Sequence, residues 1–229
     1  MKYWLVPIFV FILCISGCSG VGLSRLINTG DYEALSKLSY DEINEVTFDS
    51  TVLSRFVMHG ENNVEKLKIL LKYKADPNIN ISARPLAQSV IRSNYEFTKE
   101  LIAHGANLDY ADFYGKTALH YAVQNNDQQM VQLLISSGAK TGFLTKNYSS
   151  PNQNGVSELA VAVINGNQNI VKILIDNGTD PNIAGENLGF PILEAVYKNE
   201  YSIVSYLIAA GADVNKKIHM DYQRFTCQL

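Results

Sequence analysis

The chain has 229 residues, of which 47% are hydrophobic and 18% charged, and its net charge is -3. This composition excludes an intrinsically disordered polymer and is sufficient to bury a core in one or two domains. The mild acidity, without any run of Lys or Arg, argues against a nucleic-acid partner, since such partners usually need a clustered basic face.

The first twenty residues have the pattern of an export signal. A single cationic side chain, Lys2, precedes a nearly continuous apolar run over residues 5–15. This run is shorter than the roughly 20 residues of a membrane-spanning helix. A charged start, a short apolar middle and small residues before a cleavage point together predict a signal peptide.

The end of this segment is more specific. Residues 15–18 read Ile-Ser-Gly-Cys and resemble a bacterial lipobox. The resemblance implies a signal peptide over residues 1–17 and a lipidated tether over residues 18–22. The thiol of Cys18 would accept a diacylglyceryl group and its freed amine an acyl chain such as palmitate. Since each buried methylene contributes about 0.8 kcal/mol, these chains would anchor the protein in the bilayer.

The resemblance also implies a location in the bacterial cell envelope. Lipoproteins of this kind stay at the inner membrane when Asp follows the cysteine, but Ser19 stands there instead. We therefore expect a lipid-anchored protein of the outer membrane that faces the periplasm. The alternative is a signal-anchor helix in which Cys18 has no role.

Next along the chain, a short pattern recurs at intervals of roughly 33 residues, a period typical of repeat proteins. Each copy has two aliphatic residues followed shortly by Gly-Ala or a close relative. The pairs are Leu70-Leu71, Leu101-Ile102, Leu134-Ile135, Leu174-Ile175 and Leu207-Ile208. A small residue precedes each of the last four pairs by twelve positions; these residues are Ser89, Ala122, Ala162 and Ala195.

This register predicts a pair of short helices in each copy. The first helix starts at Thr, Ser or Pro, which suit the first positions of a helix. The second helix has aliphatic residues at helical spacing and ends at Gly105, Gly138, Gly178 or Gly211. One such pair cannot bury its own apolar face, whereas stacked pairs can. We therefore predict an all-α fold.

Residues 105–122, which contain Thr-Ala-Leu-His at positions 117–120, closely resemble the consensus of the ankyrin-repeat family. The resemblance covers residues 51–217 and implies a solenoid of about five helix-turn-helix repeats with finger loops. An insertion near residues 142–151 should lengthen one finger. Residues 23–50 are predicted to form a degenerate capping repeat.

Some copies depart from the family pattern. The first full repeat, which begins at Thr51, needs about two extra residues near residues 59–61. The repeat that begins at Ser157 lacks the usual Pro and His. The last repeat needs cover that only the tail, residues 218–229, remains to give. Either the tail folds back or a partner covers this end; the apolar residues available in the tail are Ile218, Met220, Tyr222 and Phe225.

A search for catalytic chemistry finds no metal-binding, nucleophile-elbow or phosphate-loop motif. His120 occupies the family's structural histidine position, where the ring bonds to loop backbone; a catalytic role is the weaker interpretation. We therefore expect no enzyme activity, no cofactor, no metal and no small-molecule substrate.

The resemblance implies instead that another protein is bound by the finger tips and by the exposed side of the first helices. The candidate finger residues are Phe113, Tyr114, Lys116, Phe143, Tyr148, Gln153 and Asn154. The candidate helix residues are Ile91, Arg92, Gln124, Asn125, Ile164, Asn165, Tyr197 and Lys198. The alternative is that some of these aromatic side chains only brace neighbouring fingers.

Two functions fit these predictions. The first is a membrane-anchored interaction module, in its sharpest form an immunity protein that binds and blocks a secreted toxin such as a phospholipase. The second is a scaffold or protective partner of a resident envelope enzyme. A third function, an enzyme whose repeats position its chemistry, has no catalytic constellation to support it.

Overall fold

The structure is a computed structural model. It describes residues 22, 25, 26, 29, 32–46, 50–59, 62–79, 84–146, 154–184 and 189–215. Within these residues it contains twelve helices and one two-stranded sheet. No helix in this described part of the chain is long and apolar enough to cross a membrane. The chain forms two compact units, an N-terminal unit (residues 1–108) and a C-terminal unit (residues 109–229).

The N-terminal unit consists of short helices that pack in pairs. Its helices are α1 (Tyr32–Ser36), α2 (Tyr40–Ile43), α3 (Val52–His59), α4 (Val64–Lys72), α5 (Pro85–Ile91) and α6 (Tyr95–Ala103). Helix α3 packs on α4 and α5, and α6 packs on α4 and α5. Leu53, Leu67 and Leu101 are fully buried between these helices.

The C-terminal unit repeats this arrangement. Its helices are α7 (Ala118–Gln124), α8 (Gln128–Ser136), α9 (Glu158–Ile164), α10 (Gln168–Asp176), α11 (Pro191–Tyr197) and α12 (Tyr201–Ala209). The first helices α7, α9 and α11 stack in that order, and so do the second helices α8, α10 and α12. The prediction of an all-α fold of stacked helix pairs is therefore confirmed.

The helices begin and end where the sequence pattern predicts. Thr117 and Ser157 cap α7 and α9 by accepting a hydrogen bond from the backbone N–H three residues later. Pro85 and Pro191 occupy the first turns of α5 and α11. The small residue of each first helix is fully buried, which allows close helix contact; these residues are Ser89, Ala122, Ala162 and Ala195.

The glycines after the second helices have the left-handed backbone that the turn requires. Gly105, Gly138, Gly178 and Gly211 have φ between +79° and +98°. Lys74 occupies the corresponding place after α4 with φ +67°, where an L side chain costs energy.

Side-chain amides and carboxylates connect several neighbouring repeats at the base of the fingers. In the C-terminal unit, Asp109 accepts from the Lys140 N–H at 2.9 Å and Asn182 accepts from the Asp213 N–H at 2.7 Å. In the N-terminal unit, Asn44 accepts in the same way from the Asp76 N–H at 2.7 Å. Asn44 follows α2. The leading segment is therefore connected to the next helix pair by a hydrogen bond equivalent to those between the later repeats.

The outer surfaces of the second helices carry ion pairs and neutral amide contacts. In the N-terminal unit they carry ion pairs, Glu65 with Lys68 and Glu96 with Lys99, at 3.1 and 3.2 Å. Neutral amides connect neighbouring helix pairs in both units, and in the N-terminal unit Asn94 donates to Asn62 at 3.2 Å. Asn167 donates to Asn126 at 2.7 Å, and Asn169 donates to Gln128 at 3.1 Å.

The predicted insertion forms more than a longer loop. Strands β1 (Leu144–Lys146) and β2 (Asn154–Ser157) pair antiparallel, with Leu144 opposite Ser157 and Lys146 opposite Asn154. The all-α prediction therefore missed one small hairpin, which leads directly into α9.

Candidate protein-binding surface

The finger that precedes α7 is held by one aspartate. Asp112 accepts from the Lys116 N–H at 2.9 Å with one carboxylate oxygen and from the Tyr121 hydroxyl with the other. Burial, followed by this contact with Asp112, raises the pKa of Tyr121 above its usual range, so the hydroxyl remains a donor. The finger therefore has a fixed conformation before any partner arrives.

Two aromatic side chains project from the tip of this finger. Phe113 is 68% exposed and Tyr114 is 57% exposed, which is unusual for side chains of this size. Their rings meet edge to face, with centroids 5.6 Å apart. Such a pair presents a large apolar surface with a polar hydroxyl at its edge.

Strand β1 of the hairpin contacts the finger through its backbone. The Lys146 N–H donates to the Tyr114 carbonyl at 2.7 Å. Gly115 has φ +72°, and a Cβ there would lie 3.1 Å from the Leu144 carbonyl oxygen. Only a glycine therefore lets the finger and the hairpin approach this closely.

Lys116 connects the finger to the exposed side of α7. Its ammonium group donates to the Gln124 side chain at 2.9 Å and lies 5.4 Å from the centroid of the Tyr121 ring. This cation–π contact and hydrogen bond place a positive charge between the base of the finger and the exposed side of α7.

A buried acid–base pair lies beneath this surface. Nδ1 of His120 lies 3.1 Å from a carboxylate oxygen of Glu158, and both side chains are almost completely buried. His120 also completes a capping box with Thr117, so its role at the start of α7 is structural as predicted. The contact joins α7 to α9, the first helices of two successive repeats.

Burial determines how this pair titrates. It raises the pKa of Glu158 to about 7, although the backbone N–H groups of Glu158 itself, Gly142 and Phe143 favour the charged form. Burial, reinforced by the positive charge of Lys116, lowers the pKa of His120 to about 4. The pair is therefore mainly neutral in mildly acidic solution, with the proton on the carboxyl group of Glu158 and not on the imidazole of His120.

The structure distributes the predicted site residues of the C-terminal unit among three environments. Phe113, Tyr114, Gln124, Asn125, Ile164, Tyr197 and Lys198 are exposed. Lys116 and Phe143 are half-buried. Asn165 is exposed but donates to the Val123 carbonyl at 3.0 Å, so it also braces α9 against α7. For Asn154 only its place in β2 is described.

In the N-terminal unit, Ile91 and Arg92 are exposed as expected. The Arg92 guanidinium, however, donates to the carbonyls of Val57 and Met58. It therefore satisfies backbone groups at the end of α3, which reduces its freedom to contact a partner. The remaining candidates, Cys18, Tyr148 and Gln153, lie outside the described residues.

Sequence reasoning missed Glu158. The sequence did indicate an unusual residue here, because Glu158 is the single charged residue between Ser157 and Ile164 and stands where the family has Pro. The partner, His120, is 38 residues away and becomes visible only when the repeats stack. In the part of the chain that the structure describes, no three His, Cys, Asp or Glu side chains cluster as metal ligands would.

Comparison with known proteins agrees with this architecture. A family model described as ankyrin repeats matches residues 53–143 and 142–218. A crystal structure of an ankyrin repeat domain from Acinetobacter baumannii is similar with a TM-score of 0.66 and 26% identity, covering 82% of this chain and 97% of that one.

Two curated proteins named for their ankyrin repeats are also similar. One, from Borreliella burgdorferi, is 31% identical over 127 residues, covering 56% of this chain and 54% of its own length. The other, from fowlpox virus, is 32% identical over 213 residues, covering 90% of this chain and 27% of its own length. The chain thus spans about half or less of these two relatives. Ankyrin repeats are in general non-catalytic modules of protein–protein interaction, and this chain belongs to the ankyrin-repeat family.

Proposed function

We propose that this protein is a lipid-anchored interaction module of the bacterial envelope, which binds another protein through the finger and hairpin of its C-terminal unit. Family membership supports the binding role, and the lipobox-like residues 15–18 support the anchor. The observation that carries the proposal is the exposed edge-to-face pair of Phe113 and Tyr114. Aromatic side chains of this kind contribute most of the binding energy in many protein interfaces.

The rigidity of the finger strengthens this interpretation. Asp112 fixes the finger from within, and Lys146 holds Tyr114 from the hairpin side. Because the loop is already ordered, binding does not cost the entropy of ordering it. Lys116, Gln124 and Asn125 beside the aromatic pair supply polar groups for a rim around an apolar centre.

For the partner, we favour a secreted enzyme that acts on membranes, such as a phospholipase, which an immunity protein would block. An anchor at Cys18 would hold the inhibitor at the surface that such an enzyme attacks. Because Ser19 rather than Asp follows this cysteine, we propose an outer-membrane location facing the periplasm. A resident envelope enzyme, with this protein as its scaffold, is the competing partner.

The anchor is tested by replacing Cys18→Ala and measuring incorporation of labelled palmitate in a bacterial host. We expect the label and the partition into detergent to be lost in this variant. A Ser19→Asp variant should keep the label but move to the inner membrane in a density gradient. Equal labelling with and without Cys18 would contradict lipidation.

The binding surface is tested by affinity capture of the full-length lipidated protein from its native envelope, with and without secreted proteins from competing cells. The variant Phe113→Ala/Tyr114→Ala should lose a stoichiometric partner. Tyr201→Ala is the matched control, because Tyr201 is an equally exposed aromatic residue on a second helix of the same unit. A partner retained by the double variant would contradict the proposed surface, and the identity of the partner distinguishes inhibitor from scaffold.

A further inference from the structure

One acidic side chain is buried at the start of α9. Glu158 is 0% exposed, and no other Asp, Glu, Lys or Arg among the described residues is buried. The same place in α5, α7 and α11 is taken by Pro85, Ala118 and Pro191. Since burying a carboxyl group costs free energy, whereas Pro or Ala at this place does not, the stability of α9 does not account for the acid.

The buried acid coincides with the hairpin. Strand β2 ends at Ser157, directly before Glu158, so the hairpin enters the helices at this residue. None of the other first helices that the structure describes follows a strand. The two unusual features of this repeat therefore occur together, which indicates that the acid acts on the hairpin.

The carboxyl group lies among residues that join the hairpin to α7. One of its oxygens is 3.1 Å from Nδ1 of His120. The backbone N–H groups of Gly142 and Phe143, just before β1, approach it closely enough to favour its charged form. Backbone groups of Phe143 and of Val156 in β2 approach His120 in turn. Glu158 and His120 thus form a buried polar cluster with the backbone at the base of the hairpin.

From this base the hairpin reaches the finger. Strand β1 begins directly after Phe143, and its Lys146 N–H donates to the Tyr114 carbonyl at 2.7 Å. We propose that Glu158 is a positioning residue, which holds the hairpin against the finger by joining the start of α7 to the residues that lead into β1. The proposal rests on the proposed function for what this surface binds, whereas the contacts themselves lie within the chain.

The test compares Glu158→Gln with Glu158→Met in the full-length chain. Glutamine keeps a polar donor and acceptor at the same place, whereas methionine fills a similar space without them. A pH of about 5.5 lies between the pKa of His120, about 4, and that of Glu158, about 7, so both side chains of the unmodified protein are then mainly neutral. Glutamine therefore resembles the protonated carboxyl group under these conditions.

Hydrogen exchange of two hairpin amides gives the measurement. The Lys146 N–H donates to the Tyr114 carbonyl, and the Val156 N–H donates to the Thr145 hydroxyl at 2.9 Å. The methionine variant should exchange about tenfold faster at both amides, because the hairpin opens more easily without its polar contact. The glutamine variant should exchange like the unmodified protein.

Thr179→Ala is the matched control, because Thr179 is a buried polar residue that follows the second helix of the same pair. It should leave exchange in the hairpin unchanged, and the amides of α8 and α12 show that each variant remains folded. A methionine variant as protected as the unmodified protein would overturn the proposal, since Glu158 would then only fill space. Equally fast exchange in both variants would also overturn it. No partner enters this measurement, so its failure is separate from a failure of the capture experiment.

Discussion

The helix pairs α7–α8 and α9–α10 share one architecture but differ in local chemistry. The first has Thr117 and His120 in a complete capping box. The second keeps the cap at Ser157 but has Ala160 in place of the histidine and buries Glu158 without any solvent contact. Both pairs keep the buried aliphatic and small residues, so the comparison shows that the fold depends on these positions. The residues at the start of the first helix can differ when a side chain of the neighbouring repeat contacts them.

The unusual chemistry of the second pair lies next to the hairpin. Backbone groups of Gly142 and Phe143 approach Glu158, and β2 leads directly into α9. At the other end of the pair, the Thr179 hydroxyl is buried without a hydrogen-bond partner, where the other repeats have alanine. The repeat that carries the extra surface element thus also contains two buried polar side chains, Glu158 and Thr179, whose burial reduces stability.

The largest expected effect tests whether the two helix pairs bury a leucine at the same position of their second helices. Leu134→Ala in α8 and Leu174→Ala in α10 should each lower the free energy of unfolding by about 2–5 kcal/mol, because both side chains are fully buried. Urea denaturation measures the loss. The half-buried neighbours Leu133 and Ile173 are the controls and should lose less when changed to Ala. A loss below about half a kcal/mol at either buried leucine would contradict the repeat register.

The buried carboxyl group should give the second pair a pH dependence of its own. The pKa of Glu158 in the folded protein, about 7, lies above its ordinary value, so its contribution is full below about pH 4.5 and is lost as the pH rises through 7. The lowered pKa of His120 acts in the opposite direction, with stability lost as the pH falls from 6.5 through 4.

Glu158→Gln separates these two effects. Relative to the unmodified protein, the variant should gain roughly 3 kcal/mol of unfolding free energy between pH 4.5 and pH 8, since it has no carboxyl group to ionise. Thermal or urea unfolding at several pH values measures the difference. Stability curves that run parallel over this range would show that Glu158 does not titrate as the structure indicates.

The next largest effect on stability is expected from a substitution in the hairpin. A Cβ at Gly155 would lie 2.1 Å from the hydroxyl oxygen of Thr145 and 2.5 Å from its carbonyl oxygen, so Gly155→Ala must force β1 and β2 apart. We expect a cost of about 1–3 kcal/mol, with faster amide exchange at Lys146 and Val156. Gly138→Ala is a useful contrast, because only its positive φ opposes the change and no atom lies within 4 Å. An unchanged exchange pattern in the hairpin would argue against the described strand pairing.

The smallest expected effect is a gain in stability. Thr179→Ala removes a buried hydroxyl without a partner and restores the residue found at positions 106, 139 and 212. Loss of the methyl group offsets part of the benefit, so we expect a stabilisation of up to about 1 kcal/mol in urea denaturation. A destabilised variant would mean that the threonine side chain contributes more through packing than its hydroxyl costs.

The helices themselves could be predicted from the sequence because their signals are local. Thr117, Pro191 and Gly138 act on backbone groups within one helical turn, so their positions give the helix ends without knowledge of the fold. The exposed Phe113 and Tyr114 could be predicted for a similar reason, since the finger always follows the same turn.

What could not be predicted depends on stacking. The contact of His120 with Glu158 joins residues of different repeats, and the use of Arg92 to satisfy carbonyls of α3 does the same. The strands β1 and β2 were missed because they are only three and four residues long, and β1 also bonds to the finger at Tyr114, 32 residues before Lys146. In each case the decisive neighbour is far away in the sequence.

The outer surfaces of the second helices have a consequence for how the molecule responds to its medium. Attraction between exposed ion pairs such as Glu65 with Lys68 weakens as dissolved ions shorten the screening length, which is about 8 Å at physiological ionic strength. Hydrogen bonds between neutral amides, such as that of Asn167 with Asn126, are not subject to this screening. These amide contacts between neighbouring repeats of the C-terminal unit, which carries the candidate surface, should therefore respond little to changes in salinity, unlike the partly exposed ion pair of Asp109 with Lys140 in the same unit.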